Sequence, residues 1–532
     1  MELPRFISPE KEVPVGIQAQ PVQTRKAFDD AQVEFDEIKA DLTSAEAQGW
    51  SHADAERHIW ERGLELMRRL FQGFIDAQGS GLVAGPVVDV DGLELTYHRE
   101  RSRGLGSIFG DVRVDRMGYY TSGSGTLCPL DATLNLPPEL YSLETQRRAA
   151  LEVARGPFNA AVEAMARTTG TRVPKRQIEE LTVRSATDFE GFYEQRKLAE
   201  DAAKGELLVL SADGKGVVVL VDDLRAETRA AALERVQTLE DTFQKKQRRN
   251  AKRMATAATV YTVDRFRRTP EDFVAELRRQ SPGSRSRPRP CGKTAWASLV
   301  KEPEQVITEA FEEAHRRDPR KEKPWVVVVD GNNVQLELIK KCARRFKVDV
   351  TIVLDIMHVL NYLWDAAREL TAGGEHAEQW VAERALRILN GEAGLVAGGI
   401  RRSATKRGRA PESRKKVDDC ARYLTNHLPF LRYDLYLREG FPIASGAIEG
   451  SCRYLINDRL DVTGAIWSVR RAEAVLKLRA LLGNGDFEAY WSHHERREHA
   501  RNHGARYSGD PPATIPPKRR SGHLRLVHSV QP

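Results

Sequence analysis

Three acidic residues stand where a chain could hold them for chemistry. Asp213 closes the apolar run Leu207-Leu208-Val209-Leu210-Ser211-Ala212, and Asp330 closes Trp325-Val326-Val327-Val328-Val329. Glu449 falls in the first turn of a helix that follows Phe441-Pro442-Ile443-Ala444-Ser445-Gly446. In α/β sheets ligands gather at strand ends, so acids there are placed for chemistry. Several carboxylates held together repel unless a cation neutralises them, and hard oxygen donors on a rigid frame suit Mg²⁺. Two such ions, ~3.5–4 Å apart, activate a nucleophile and stabilise a leaving oxygen in phosphoryl transfer. Taken singly, each acid has a plainer reading. Asp before Gly is a turn signal, and an early-helix Glu favours the helix dipole. The weight comes from three such positions on separate segments of one unit.

The elements that must position them alternate between strand and helix. Residues 207–214 read as a buried strand, with 217–220 pairing to it as a hairpin. Residues 224–253 read as a helix ending in Lys245, Lys246, Arg248 and Arg249, and 255–263 as a strand. A basic Ser/Pro/Arg loop covers 281–290. Helix 302–316, the Val-rich strand, a short helix 334–346, strand 350–355 and a further helix with His358 follow. This pattern predicts an α/β fold with a partly parallel sheet. The core is expected over 205–370 and 433–495, interrupted by an all-helical insertion at 371–432. That insertion carries a basic loop at 401–416, with eight Lys/Arg (among them Arg401, Arg402, Lys406, Arg407 and Arg409) against one Glu. A long helical region is expected from 445 to about 490.

Upstream, 1–24 reads as a loose leader, 25–80 as helical, and 82–150 as a small β-rich segment with strands at 87–90, 93–97 and 112–114. Within 151–200, a helix around 158–166, the turn Thr168-Thr169-Gly170 and a second helix opening at Pro174 fit the helix-turn-helix pattern. Lys175 and Arg176 lie in its first turn, the end that reads bases in that motif. An ordinary αα-hairpin has the same pattern. Residues 496–532 read as a basic disordered tail.

The 532 residues carry 83 Lys+Arg against 76 Asp+Glu, with 41% hydrophobic residues, which excludes wholesale disorder. Five scattered cysteines form no CxxC pair, so neither a disulfide framework nor a Cys-rich zinc site is expected. With no secretory signal pattern and no long apolar run, a reduced, cytoplasmic protein without a membrane span is expected. Cys291-Gly292-Lys293-Thr294 lacks the leading Gly and the preceding strand of a P-loop, so nucleotide binding there is rejected.

Ser211-Ala212-Asp213-Gly214-Lys215-Gly216-Val217, the strand into Asp330-Gly331-Asn332, Leu354-Asp355-Ile356-Met357-His358-Val359-Leu360 and Ile443-Ala444-Ser445-Gly446-Ala447-Ile448-Glu449-Gly450 resemble a known family. It is that of the DDE transposases with an RNase H-like core, and the nearest group is the Kra-type bacterial insertion-sequence transposases. The resemblance spans roughly 150–495. It implies binding of double-stranded DNA at terminal inverted repeats, cleavage by water, and strand transfer to target DNA by the freed 3′-hydroxyl. Asp213, Asp330 and Glu449 would be catalytic and would ligate two Mg²⁺ ions, with Mn²⁺ able to substitute. A homodimer or higher assembly on DNA and a bacterial, nucleoid-associated location follow from the same resemblance.

Asp355 also ends a strand, and Asp355-x-x-His358 recurs in related transposases. The second acid of the RNase H fold follows the fourth strand, which favours Asp330 and leaves Asp355 auxiliary. His358 is read either as a DNA-contacting side chain or as a satisfied buried histidine. Arg453, four residues after Glu449, is expected to pair with it or to contact phosphate. Trp467 is either a base-stacking platform or core. Residues 117–135, with Cys128, resemble a zinc-ribbon remnant lacking its other ligands. A hydrolytic nuclease, or a DNA-binding protein without catalysis, fits the same acids.

Overall fold

The computed structural model describes residues 27–198, 202–230, 252–278, 286–371, 373–406, 411–462 and 464–515. The expected leader 1–24 and the basic residues Lys245, Lys246, Arg248, Arg249, Arg407 and Arg409 lie outside the described residues. The chain divides into two compact units, 1–148 with 163–173 and 495–532, and 149–162 with 174–494.

The second unit is mixed α/β, built on a five-stranded sheet of order β5-β4-β3-β6-β7. Strand β3 is Leu207–Val218, β4 Lys252–Val263, β5 Cys291–Ser298, β6 Trp325–Val329 and β7 Val350–Leu354. β3, β4 and β5 are antiparallel in turn, whereas β6 and β7 run parallel to β3. The central β6 is wholly apolar and buried because both of its faces are covered. Trp325 to Val329 are all buried in one core with Leu207–Leu210, Phe311, Ile339 and Ile352–Leu354.

The expected hairpin within 207–220 is absent. The Asp213-Gly214-Lys215-Gly216 stretch looks like a turn, yet the strand runs straight through it. Gly214 pairs with Thr256 and Gly216 with Met254 on β4, so the ladder overrides the local turn preference. Asp213 is therefore the seventh residue of a twelve-residue strand, not its end.

The insertion is helical as expected, with helices Gly374–Leu389, Ala393–Lys406 and Pro411–Asn426. Arg401, Arg402 and Lys406 are exposed on the middle one rather than on a loop. The region after 445 is not one helix. Gly446–Cys452 gives way to a π-helical turn, Arg453–Asn457, then Asp458–Leu460, a break, and Val469–Asn484.

In the first unit, helices Asp29–Leu42 and His52–Ala77 precede one hairpin, β1 Tyr97–Ser107 with β2 Gly110–Tyr120. The expected strands 87–90 and 93–97 reduce to isolated bridges, Val88 with Glu94 and Asp89 with Tyr507, with Tyr97 opening β1, and 112–114 lies within β2. The helix Phe487–Asn502 passes through residue 496, Tyr507 is buried against Val87 and Met117, and Thr514 bridges Val83. Residues 496–515 thus belong to a core, against the expected disordered tail.

Helices Phe158–Thr168 and Lys175–Ser185 are present with Gly170 between them. A Cβ on Gly170 would meet the Phe109 carbonyl at 2.2 Å, so only glycine fits there.

His503, 6% exposed, donates from Nε2 to the Leu136 carbonyl at 3.0 Å. Burial pulls its pKa down to about 4, with the charges of His499 and Arg506 adding to the effect. The unfolded chain therefore binds this proton first. Stability is full above pH ~6.5 and falls by up to about 3 kcal/mol as pH drops toward 4. Thermal unfolding between pH 7.5 and 4 should show that loss in the wild type, and a smaller one in His503→Gln.

Candidate functional site

The parallel registers bring the acidic positions to one level. Ser211 pairs with Val328, and Val329 with Leu354. Continuing the first register by two residues sets Asp213 beside Asp330, and continuing the second by one sets Asp330 beside Asp355. Neighbouring strands lie about 4.8 Å apart, and residues in register share a face.

Asp213 sits where β3 leaves the core, with its side chain 22% exposed. Its Oδ2 pairs with Lys215 Nζ at 3.0 Å, and its Oδ1 accepts from the Gly214 N–H at 2.7 Å. Burial works against the Lys215 charge, but the Asp213 pair, with Cys452 and Glu449 adding, offsets it and holds the ammonium above the usual lysine pKa. Burial pushes the Cys452 thiol far up, and Asp213, to which it hydrogen-bonds, pushes the same way. Lys215 and Cys452 both feel Asp213 and Glu449, so the helix Gly446–Cys452, which packs on β3, brings Glu449 into the field of Asp213. Glu449 itself is exposed.

Asp330 lies just beyond β6, and its Oδ1 accepts from the Asn332 N–H at 3.1 Å. The turn is buttressed by the helical insertion. Tyr423 donates its hydroxyl to the Asp330 carbonyl at 2.8 Å, and its ring stacks on Tyr362 with centroids 4.1 Å apart. His427, one helical turn on, sets Nε2 3.0 Å from the Gly331 carbonyl. Gly331 has φ +91°, and a Cβ there would meet Leu354 Cδ2 at 3.0 Å, so this turn requires glycine. Burial raises the Tyr423 pKa, and Tyr362, Asp330 and Asp355 add to the rise.

Asp355 is 2% exposed and caps the helix Ile356–Leu370, its Oδ1 accepting from the Met357 N–H at 2.9 Å. Its Oδ2 accepts from the Ser445 hydroxyl, and Ile356 N–H donates to the Ile443 carbonyl at 2.9 Å. Both of its oxygens are engaged, and the turn it ties down leads directly into the Glu449 helix.

The other expected positions are placed as follows. His358 is exposed in the first turn of its helix, not buried. Arg453 turns to Asp458, with Nε 3.6 Å from Oδ1, rather than to Glu449. Trp467 is 6% exposed; it packs on Phe158 with centroids 5.9 Å apart and carries the Arg459 guanidinium over its ring at 4.7 Å. It is core and offers no face to a base. Lys175 and Arg176 are exposed, with Arg176 Nε 3.2 Å from Glu180.

Asp213, Asp330 and Glu449 do not form a group with ligand atoms all within 4.8 Å of one another. Tyr423, His427, Ser445, Lys215 and Cys452 were not singled out from sequence. The Tyr423/His427 spacing of four puts both on one helix face, but nothing local says what that face meets. Compared with protein-family models and with curated proteins, the chain matches none.

The two central aspartates should differ in what they do for stability. Asp355→Ala removes a cap and strands the Ser445 hydroxyl, for a cost of roughly 1–3 kcal/mol. Asp355→Asn keeps a capping oxygen and should cost less, whereas Asp330→Asn should stay within about 1 kcal/mol of the wild type. Denaturant unfolding of the three variants measures this order.

Proposed function

We propose that the chain is a DNA transposase with an RNase H-like core, binding the terminal inverted repeats of an insertion sequence and catalysing Mg²⁺-dependent cleavage and strand transfer. The observation that carries the reading is the parallel pairing of β3 with β6 through Ser211 and Val328, whose continuation by two residues brings Asp213 level with Asp330 at the end of β6, with the Glu449 helix packed on the Asp213 strand. In chain order Asp330 follows the fourth strand of this sheet and Asp355 the fifth, which supports Asp330 as the second acid. The engaged oxygens of Asp355 support the same choice and give it a positioning role.

The donor set fits a hard divalent ion. It is carboxylate oxygen only, and a cation, the Lys215 ammonium, already stands against Asp213. Asp213, Asp330 and Glu449 would hold Mg²⁺, which when bound supplies charge neutralisation and nucleophile activation. The chain's own residues do the rest. The sheet fixes Asp213, and Tyr423 and His427 hold the Asp330 turn. Lys215, once released from Asp213, offers its three N–H donors to a phosphate oxygen. His358, exposed three residues after Asp355, would contact the same DNA strand.

The exposed Lys175, Arg176, Arg401, Arg402 and Lys406 would contribute phosphate contacts whose affinity falls with salt. Lys245, Lys246, Arg248, Arg249, Arg407 and Arg409 are assigned the same role from sequence. In this reading the protein works as a homodimer or larger assembly on DNA in the bacterial cytoplasm. No helix among the described residues is long and apolar enough to cross a membrane.

The test uses purified protein, MgCl₂ or MnCl₂, and labelled duplexes carrying the element's own ends. Asp213→Asn, Asp330→Asn and Glu449→Gln should each lower end cleavage and joining by at least about 10³-fold. Asp355→Asn should retain measurable activity. Cutting without joining would support a hydrolytic nuclease instead. A wild type that shifts the DNA and never cuts it would replace the reading with a binding protein.

A further inference from the structure

The first unit contains a cavity of about 340 Å³ with five arginines in its wall. The β1–β2 register sets Arg101 directly opposite Arg116, and Arg103, two residues along β1, shares their face. Like charges directly opposite on a sheet repel one another. Arg501 and Arg506, both exposed, stand at the same cavity.

Its lining contains one carboxylate, Asp131, and that is taken by Arg116 at 2.9 Å. Arg501 turns to Glu498. Among the described residues Arg103 donates to carbonyl oxygens, that of Pro137 at 2.8 Å and those of Glu139 and Gly104. Arg506 likewise donates to the Thr126 carbonyl at 3.1 Å. The buried Nε of Arg101 has no hydrogen-bond partner among the described residues. Burial lowers the Arg103 pKa, and the like charge of Arg116 adds to that.

Carbonyl oxygens orient a guanidinium but do not neutralise it. Arg101, Arg103 and Arg506 therefore gather positive charge at a partly desolvated site with no carboxylate of their own. Such charge is costly unless an anion joins it. The guanidinium fork matches the oxygens of a phosphate in a bidentate way. The volume lies in the range of small-molecule sites, roughly 300–1,000 Å³, and leaves room for more than a lone anion.

We propose that this cavity binds a phosphate group carried on a larger molecule, held by Arg101, Arg103 and Arg506. The chemistry is shared by a free nucleotide and by the backbone of a nucleic-acid strand. It does not depend on the transposase reading, since every residue involved belongs to the first unit and the acidic set to the second.

The experiment is calorimetric titration of the full chain at pH 7.5 with deoxyadenosine monophosphate, inorganic phosphate and a short single-stranded oligonucleotide. Arg101→Gln makes no hydrogen bond to lose, so it should fold as the wild type does, and it should weaken nucleotide binding by at least about tenfold. Asp131→Asn removes the one carboxylate of the lining and should tighten binding, a change of opposite sign that misfolding would not produce. Competition of the nucleotide by the oligonucleotide assigns the site to a strand; binding of the nucleotide alone assigns it to a small molecule. Absence of binding by all three probes to the wild type, or unchanged affinity in both variants, would overturn the proposal.

Discussion

Neighbouring strands of a sheet stand about 4.8 Å apart, a spacing set by backbone hydrogen bonds that fixes where the acids they carry are rooted. Asp213 sits within β3, and Asp330 and Asp355 each follow directly on the last residue of β6 and of β7. Their mutual repulsion has to be met by something. Each is met differently: Asp213 by an ammonium, Asp330 by a turn N–H beside open solvent, Asp355 by a helix N-terminus and a hydroxyl. The same sheet spacing thus yields three carboxylates with three environments, and environment is what separates a structural acid from one with free oxygens.

Around this line the second unit is arranged as support. The helical insertion sends Tyr423 and His427 back to the Asp330-Gly331 turn. The capped Asp355 turn holds Ile443 and Ser445, and through them the start of the Glu449 helix. An insertion of some sixty residues is therefore not an ornament on the core, since its removal would leave the Asp330 turn without its two side-chain braces.

Much of this was legible from residue patterns. The Val-rich run before Asp330 reads as a buried strand because its apolar character is unbroken, the β-branched run before Asp355 reads as a further strand, and both are strands. The helical insertion was legible for the same kind of reason. Asp213 was misplaced at a strand end because Gly214 and Gly216 carry a strong local turn signal that pairing with β4 overrides. Trp467 was ambiguous because a lone aromatic looks the same on a surface as in a core; only Phe158 and Arg459, distant in sequence, decide between them. The order of residues 496–515 was hidden because a polar, Pro-containing segment gives no periodic signal, yet Tyr507 finds an apolar cluster contributed from residues 87–132. The Tyr423 and His427 braces span more than ninety residues of chain, beyond the reach of any local pattern.

The position of Asp213 within an unbroken strand has a mechanical consequence. Its main chain is pinned by the antiparallel ladder to β4, with the parallel ladder to β6 ending two residues before it, whereas Asp330 rides on a turn and Glu449 on a short helix that ends in a π-helical turn. Any drawing together of the three carboxylates must then be asymmetric. The strand acts as a stiff datum, and compliance resides in the other two, so the point at which they meet is set by β3 alone.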